Sequence, residues 1–201
     1  MILAHWRSLM PFAKDCGLMR KVEDMACKPI AIRLLLAPLA LCAFVTSAAI
    51  AAPQVTMVAQ LDAPLYYGDY FWDEAGAPKG SAQIVVDLEE EQLYVYRGGV
   101  EIARAVITRG WENYATPTGT FPVLEKDADH YSSSYDNAPM PYNLRLTWQG
   151  VAIHGAEVND EAATHGCIGI PVAFARKLFG NVRVGDKVLV TRNWLPEIYR
   201  N

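Results

Sequence analysis

Cysteine is scarce in this chain, and what there is lies mostly at one end. Of 201 residues only four are cysteines, and Cys16, Cys27 and Cys42 precede residue 43. Beyond that point Cys167 stands alone, so no internal disulfide can form there. Basic charge is also short. From Pro53 onward 12 Lys and Arg stand against 19 Asp and Glu, a net charge of −7. Such a surface excludes a nucleic-acid partner, whose phosphates need Lys and Arg. Internal repeats and low-complexity tracts are absent too. With 52% apolar and 20% charged residues, the chain has what one ordinary domain with a full core requires.

There is one long apolar run, "LLLAPLALCAFVTSAAIAA" from residue 34 to 52, preceded by Lys28 and Arg33. Basic residues, an apolar stretch and a small-residue end are the pattern of a cleaved signal peptide. We expect residues 1–52 to be a leader and signal peptide, cut near Ala49 to Ala52. Pro38 and the alanine-rich end favour this over an uncleaved membrane anchor. Leu41 before Cys42 is too large for a lipoprotein site. Export to the periplasm or cell wall follows, and contact with the membrane only through this segment. A lone cysteine in an oxidising compartment is dimerised, buried or reactive.

Residues 53–80 read as a linker or arm rich in Gly, Pro and aromatics. From Gln83 the pattern is β. "QIVVDL" and "EQLYVY" read as strands, "RGG" at 97–99 as a hairpin turn, and "VEIARAVIT" as the next strand. "TPTGTFPVLEK", "NLRLTW", "GVAIHG" and "VRVGDKVLVT" add turns and strands, while "PVAFARKLFG" fits a short helix. The expectation is one mainly-β domain over 81–192, a β-sandwich or meander with one or two short helices, followed by a tail at 193–201.

Chemistry concentrates in "VAIHG" and "ATHGCIGIP". His154 is expected at the end of a strand, with His165 and Cys167 in the loop that follows. Three readings stand at this point. Cys167 beside Ile168 and Ile170 can be a small buried hydrophobe. His154, His165 and Cys167 can be three zinc ligands with an open fourth position. Or Cys167 is a nucleophile whose pKa a nearby His lowers, with His as base and backbone N–H groups around Gly166 as oxyanion donors. His130, in "KDADHYSSSYD", reads as a polar loop residue.

The ordered set "IVVDLEEEQLYVYRGG", "TPTGTF", "APMPYNLRLTW", "VAIHG" and "THGCIGIP" resembles the L,D-transpeptidase catalytic domain (YkuD) family over about Ser81 to Thr191. The resemblance implies a cysteine acyltransferase that needs no cofactor and no metal. Its partners would be peptidoglycan stem peptides. It cleaves after the third residue of a stem tetrapeptide, releases D-alanine, and passes the acyl group to an amine on a second stem, to a protein lysine or to water. Carried over, Cys167 is the nucleophile and His154 the base, oriented by the Gly155 carbonyl. His165 shapes the pocket, the N–H groups of Gly166 and Cys167 receive the oxyanion, and Tyr142 and Met140 line the substrate groove. Carbapenems acylate the family's cysteine. Alternatives are an L,D-carboxypeptidase or murein hydrolase of the same fold, and a peptidoglycan-binding module without activity. One departure is Gly169, where the family usually has arginine. Glu157, Asp160 and Glu161 make the neighbouring loop acidic, which would favour an amine acceptor.

Overall fold

The computed structural model describes residues 53–194. The expected leader and signal peptide, and the tail from residue 195, lie outside the described residues. Ten strands, one α-helix and a short 3-10 turn follow in the order β1 Tyr70–Trp72, β2 Ala82–Asp87, β3 Gln92–Arg97, β4 Val100–Val106, the turn Glu112–Tyr114, β5 Gly119–Pro122, β6 Glu125–Tyr131, β7 Pro139–Arg145, β8 Ala152–Ala156, β9 Ile168–Pro171, α1 Val172–Asn181 and β10 Lys187–Thr191. The fold is mainly β, as expected. No helix among the described residues is long and apolar enough to cross a membrane.

Two sheets form. The first runs β1-β4-β3-β2-β10-β5 and the second β6-β7-β8-β9. The meander β2-β3-β4 follows from alternation and one turn. Gly98 and Gly99 both have positive φ, 57° and 86°, the backbone a two-residue hairpin turn needs. Along β3, Leu93 and Val95 face the main core while Tyr94 and Tyr96 pack on the opposite face with Val85. Val55 and Trp194 cover that second face. β10 enters parallel to β2, Lys187 opposite Gln83 through Thr191 opposite Asp87.

The main core joins both sheets to the helix. Ile84, Val86 and Val95 come from the first sheet, Leu144, Ile153 and Ile168 from the second, and Phe174 and Leu178 from α1. Pro171 precedes the helix with φ −52°, ready for a first turn. Gly180, the last residue of "PVAFARKLFG", lies inside the last turn, and the chain leaves at Val182, whose N–H donates to Leu178 O at 3.0 Å. Lys126 Nζ donates to Phe179 O (2.6 Å) and Val182 O (2.5 Å), satisfying carbonyls near the helix end.

Residues 53–80, read from sequence as a linker or arm, supply the edge strand β1. Tyr70 pairs with Ala105, and the rings of Tyr70 and Trp72 meet Phe174 edge-on at 5.7 and 5.3 Å. Burying a ring such as Phe174 is worth about 1.5–3 kcal/mol. The segment 125–131, expected as a loop around His130, is strand β6. It pairs with β7, His130 opposite Met140. A charged strand is tolerated there because β6 is the edge of its sheet.

Candidate functional site

The second sheet brings the motif residues together. β8 and β9 are parallel, with His154 opposite Gly169. Residues in register share a face, and Cys167, two before Gly169, falls on it as well. His154 was expected at a strand end. It sits mid-strand, because pairing with β9 carries β8 on to Ala156 opposite Pro171.

His154 is buried, with Nδ1 3.0 Å from the Gly155 carbonyl oxygen. A carbonyl only accepts, so Nδ1 carries the proton and Nε2 keeps its lone pair. Burial holds the imidazole below its ordinary pKa, the charge of His130 adds to this, and the Gly155 contact opposes it. Cys167 is half-buried and unpaired. Its thiol donates to Gly150 O at 3.5 Å, and Ala152 N–H donates to the sulfur. Burial pushes the thiol above its ordinary value, with the Ala152 contact acting against this. The expected lowered thiol pKa is therefore not found. Both directions favour the uncharged thiol and the uncharged imidazole.

The loop before Cys167 is fixed by backbone contacts. Thr164 N–H donates to Arg109 O (3.1 Å), and Trp111 N–H to Thr164 O (3.4 Å). Thr164 Oγ1 donates to Cys167 O (2.5 Å) and accepts from Gly166 N–H (3.2 Å). Gly166 has φ +110°, which a side chain would strain. Its N–H, expected to face an oxyanion, is turned to Thr164 Oγ1. Gly110, which the sequence reading passed over, sits under this loop. A Cβ there would lie 2.0 Å from Tyr114 O and 2.9 Å from Gly166 Cα. Thr116 Oγ1, from "TPTGTF", accepts the Gly110 N–H at 2.9 Å.

His165 is exposed and held between rings. Tyr135 stacks on it at 4.0 Å and Tyr114 meets it edge-on at 4.6 Å. Tyr135 belongs to the β6–β7 turn, so this contact ties that turn to the Cys167 loop.

Of the two expected groove residues, the site receives one. Met140 lines the space at Cys167. Tyr142 packs on Phe179 of α1, ring centroids 5.9 Å apart. The reason is its φ of +57°. Asp127 opposes Asn143 and Asp129 opposes Pro141, so the register runs one-for-one on both sides of Tyr142. It is the left-handed backbone at Tyr142, with no inserted residue, that turns its side chain from the face of Met140. Asn143 and Arg145 then join Met140 on the site face, while Leu144 enters the core. Neither polar residue was singled out from sequence, although N-L-R-L alternates plainly.

Gly169 is explained by space. A Cβ there would lie 2.3 Å from Thr108 Oγ1 and 3.0 Å from Ala156 Cβ. Thr108 and Gly169 also exchange backbone bonds of 2.9 and 3.0 Å. An arginine at this position would force that pairing apart. Among the described residues no three His, Cys, Asp or Glu side chains are placed to hold a metal ion.

Two cavities meet at Cys167, and both are lined by Ser132, Tyr135, Met140, His165 and Cys167. One, about 180 Å³, is polar, with His130, Asn143, Arg145 and Gln149. The other, about 210 Å³, is mostly apolar, with Pro139, Ala156 and Ala162, and it contains His154 and Glu157. Asp160 and Glu161, expected beside Glu157, line an adjoining cleft with Trp111 and Tyr67, which shares Thr108, Ala162 and Ala163 with the apolar cavity. A larger cavity, about 470 Å³, opens at β2, β5 and β10 and shares no residue with the two at Cys167.

Among curated proteins nothing matches the chain. Solved structures do. An L,D-transpeptidase from Stackebrandtia nassauensis is similar with 25% identity and a TM-score of 0.52, covering 59% of this chain and 60% of that one. One from Mycobacterium tuberculosis H37Rv has 25% identity and a TM-score of 0.51, covering 55% and 57%. One from Enterococcus faecium, solved as a cysteine-to-serine mutant, has 29% identity and a TM-score of 0.50, covering 55% and 50%. The match thus spans between half and three fifths of those chains. Residues 81–190 match the L,D-transpeptidase catalytic domain family itself. That match takes in β2 through most of β10 and every motif residue described above, and the chain belongs to the YkuD family of L,D-transpeptidase catalytic domains.

Proposed function

We propose that this protein is a cysteine-dependent L,D-transpeptidase of peptidoglycan, exported by the segment at residues 34–52 and acting in the periplasm or cell wall. The observation that carries the reading is the free thiol of Cys167 where two cavities meet, one of which His154 also lines. Two openings on one nucleophile suit a reaction with a donor and an acceptor.

The chemistry follows from the resting protonation. His154 Nε2 takes the proton from Cys167 as sulfur attacks the carbonyl carbon of the third stem residue. Backbone N–H at Cys167 faces the developing oxyanion. On collapse the C–N bond breaks, and imidazolium returns its proton to the leaving amine of D-alanine. A thioester remains. An acceptor amine then attacks it, gives its proton to His154, and the sulfur departs with that proton. The second cavity suits the amine, since Glu157 is its one carboxylate among the described residues. The His165–Tyr135 stack borders both cavities beside the thioester.

The deciding test is mass spectrometry of the protein with purified disaccharide-tetrapeptide. A cross-linked dimer lacking one D-alanine establishes transfer between stems, and tripeptide alone makes water the acceptor. No cysteine-dependent product would leave a binding module.

His154→Ala is expected to lower kcat/KM by about 10²–10⁴-fold, the usual worth of a general base. The acid limb of the pH profile should lie below about 6.5, because the folded imidazole is held under its ordinary pKa. Iodoacetamide labelling of Cys167 without substrate should rise from pH 7 through 9 with no plateau. A labelling plateau below pH 7 would instead mean a preformed thiolate–imidazolium pair.

A further inference from the structure

We infer that the polar cavity at Cys167 is a carboxylate subsite, in which Arg145 and Asn143 hold the free C-terminal carboxylate of the residue that leaves. This rests on the acyl-transfer reading above and assigns one of its two cavities.

Asn143 is the first observation. It is 4% exposed, it lines the cavity, and its amide makes no hydrogen bond to any described residue. The amide is not among the fully buried polar atoms left without a partner, so it keeps an opening onto the cavity. A polar group held there with no protein partner is met by water or a ligand. The second observation is Arg145, the one Arg or Lys lining either cavity at Cys167 among the described residues. Its backbone lies directly opposite Ala152, whose N–H touches the sulfur. Cβ atoms of such a pair are about 4.5–5.5 Å apart. The Arg145 side chain therefore starts one strand spacing from the residue whose N–H meets the thiol, and both line the cavity where the leaving residue must sit. A cavity of about 180 Å³ accepts a small residue such as alanine with its carboxylate.

Two carboxylates already stand near Arg145. Glu125 pairs with its Nε at 3.0 Å, and Asp127 is taken by His130 Nδ1 at 3.1 Å. Guanidinium has five donors in a planar fork. The Glu125 contact uses Nε, and it orients the remaining fork. Asn143 NH2 adds a neutral donor. Arginine with an amide donor reads a planar carboxylate by shape as well as charge.

The same chemistry has two sources in a stem peptide, the C-terminus and a side-chain carboxylate on the third residue. The C-terminus is assigned here, because the leaving residue is the part that must lie beside the thiol.

The test compares a tetrapeptide acid with its C-terminal carboxamide, and a second pair differing only in the third residue's side-chain carboxylate. The full chain should use the acid about 10–100-fold better in kcat/KM, the size of a charge-assisted contact. Arg145→Gln should erase that preference by slowing the acid alone, and Arg145→Lys should restore part of it. Binding of both peptides to the Cys167→Ala chain by calorimetry reads the subsite without turnover. If that chain binds acid over amide while the parent makes no product, the subsite stands and the acyl-transfer reading falls. Equal use and equal binding of acid and amide would sink the subsite and leave acyl transfer standing. A preference that follows the third-residue carboxylate would overturn the assignment to the C-terminus. Asn143→Ser, smaller and still polar, should weaken acid binding at unchanged Tm. A merely structural Asn143 would lower Tm and leave the acid-to-amide ratio alone.

Discussion

The Cys167→Ala chain is expected to stay folded and to lose all turnover. The side chain is half-buried, and among the described residues its sulfur's polar contacts are Gly150 O and Ala152 N–H. Losing two weak contacts of this kind costs about 1 kcal/mol. Catalysis has no such tolerance, since no other cysteine is present beyond residue 42. Removing the nucleophile of a protease lowers kcat by on the order of 10⁶-fold. The check is intact mass after incubation with a carbapenem and, separately, with disaccharide-tetrapeptide. The parent should gain one adduct, and the variant none. An adduct on the variant, or product at even one hundredth of the parent rate, would place the chemistry on another residue.

Gly110→Ala should damage the site almost as severely, from a position that touches no substrate. The added Cβ would meet Tyr114 O at 2.0 Å, Thr116 N at 2.8 Å and Gly166 Cα at 2.9 Å. All three are backbone atoms, so no side chain can swing aside. Forced overpacking costs about 1–3 kcal/mol, which here should lower Tm by roughly 5–10 °C. Relief comes most easily by moving Gly166, and with it the sulfur. A displacement near 1 Å at a reacting atom costs about 10²-fold in rate. Gly180→Ala is the companion measurement. It lies in α1 with nothing within 4 Å of the new Cβ, so it should raise stability by about 0.5–1 kcal/mol and leave the rate unchanged. A Gly110→Ala protein with parental Tm and parental kcat would refute the account of how the Cys167 loop is held.

What could be read in advance followed from how local the signal was. The hairpin at Gly98-Gly99 and the alternation of Leu93 and Val95 against Tyr94 and Tyr96 are written in adjacent residues. His154 and Cys167 were legible because their glycine-flanked motifs are rare. β1 was not, since three residues carry no period and its partner β4 is thirty residues on. β6 was hidden by Asp127, Asp129 and His130, residues that strands disfavour except at an edge. The largest miss was the phase of β7. Strict alternation puts Met140 and Tyr142 on one face, and the left-handed backbone at Tyr142 moves it to the other. Asn143 and Arg145 reached the site through that one turn of the chain. The contact between Gly110 and Gly166 joins residues fifty-six apart, and no local pattern announces it.

The place of β10 bears on the order in which the domain can form. β2 pairs with β3 on one side and with β10 on the other, a partner about a hundred residues later. Until Lys187–Thr191 arrives, β2 and β5 present open edges, and β5 has no other neighbour in its sheet. Long-range pairing of this kind slows folding, because closing a large loop costs entropy before any contact repays it. The meander can form early, while the sheet stays incomplete until its last strand slots in. A chain cut before Lys187 should therefore accumulate as a partly ordered, self-associating species. Under the export proposed above, the chain has to stay unfolded while it is threaded across a membrane, and the same delay serves that.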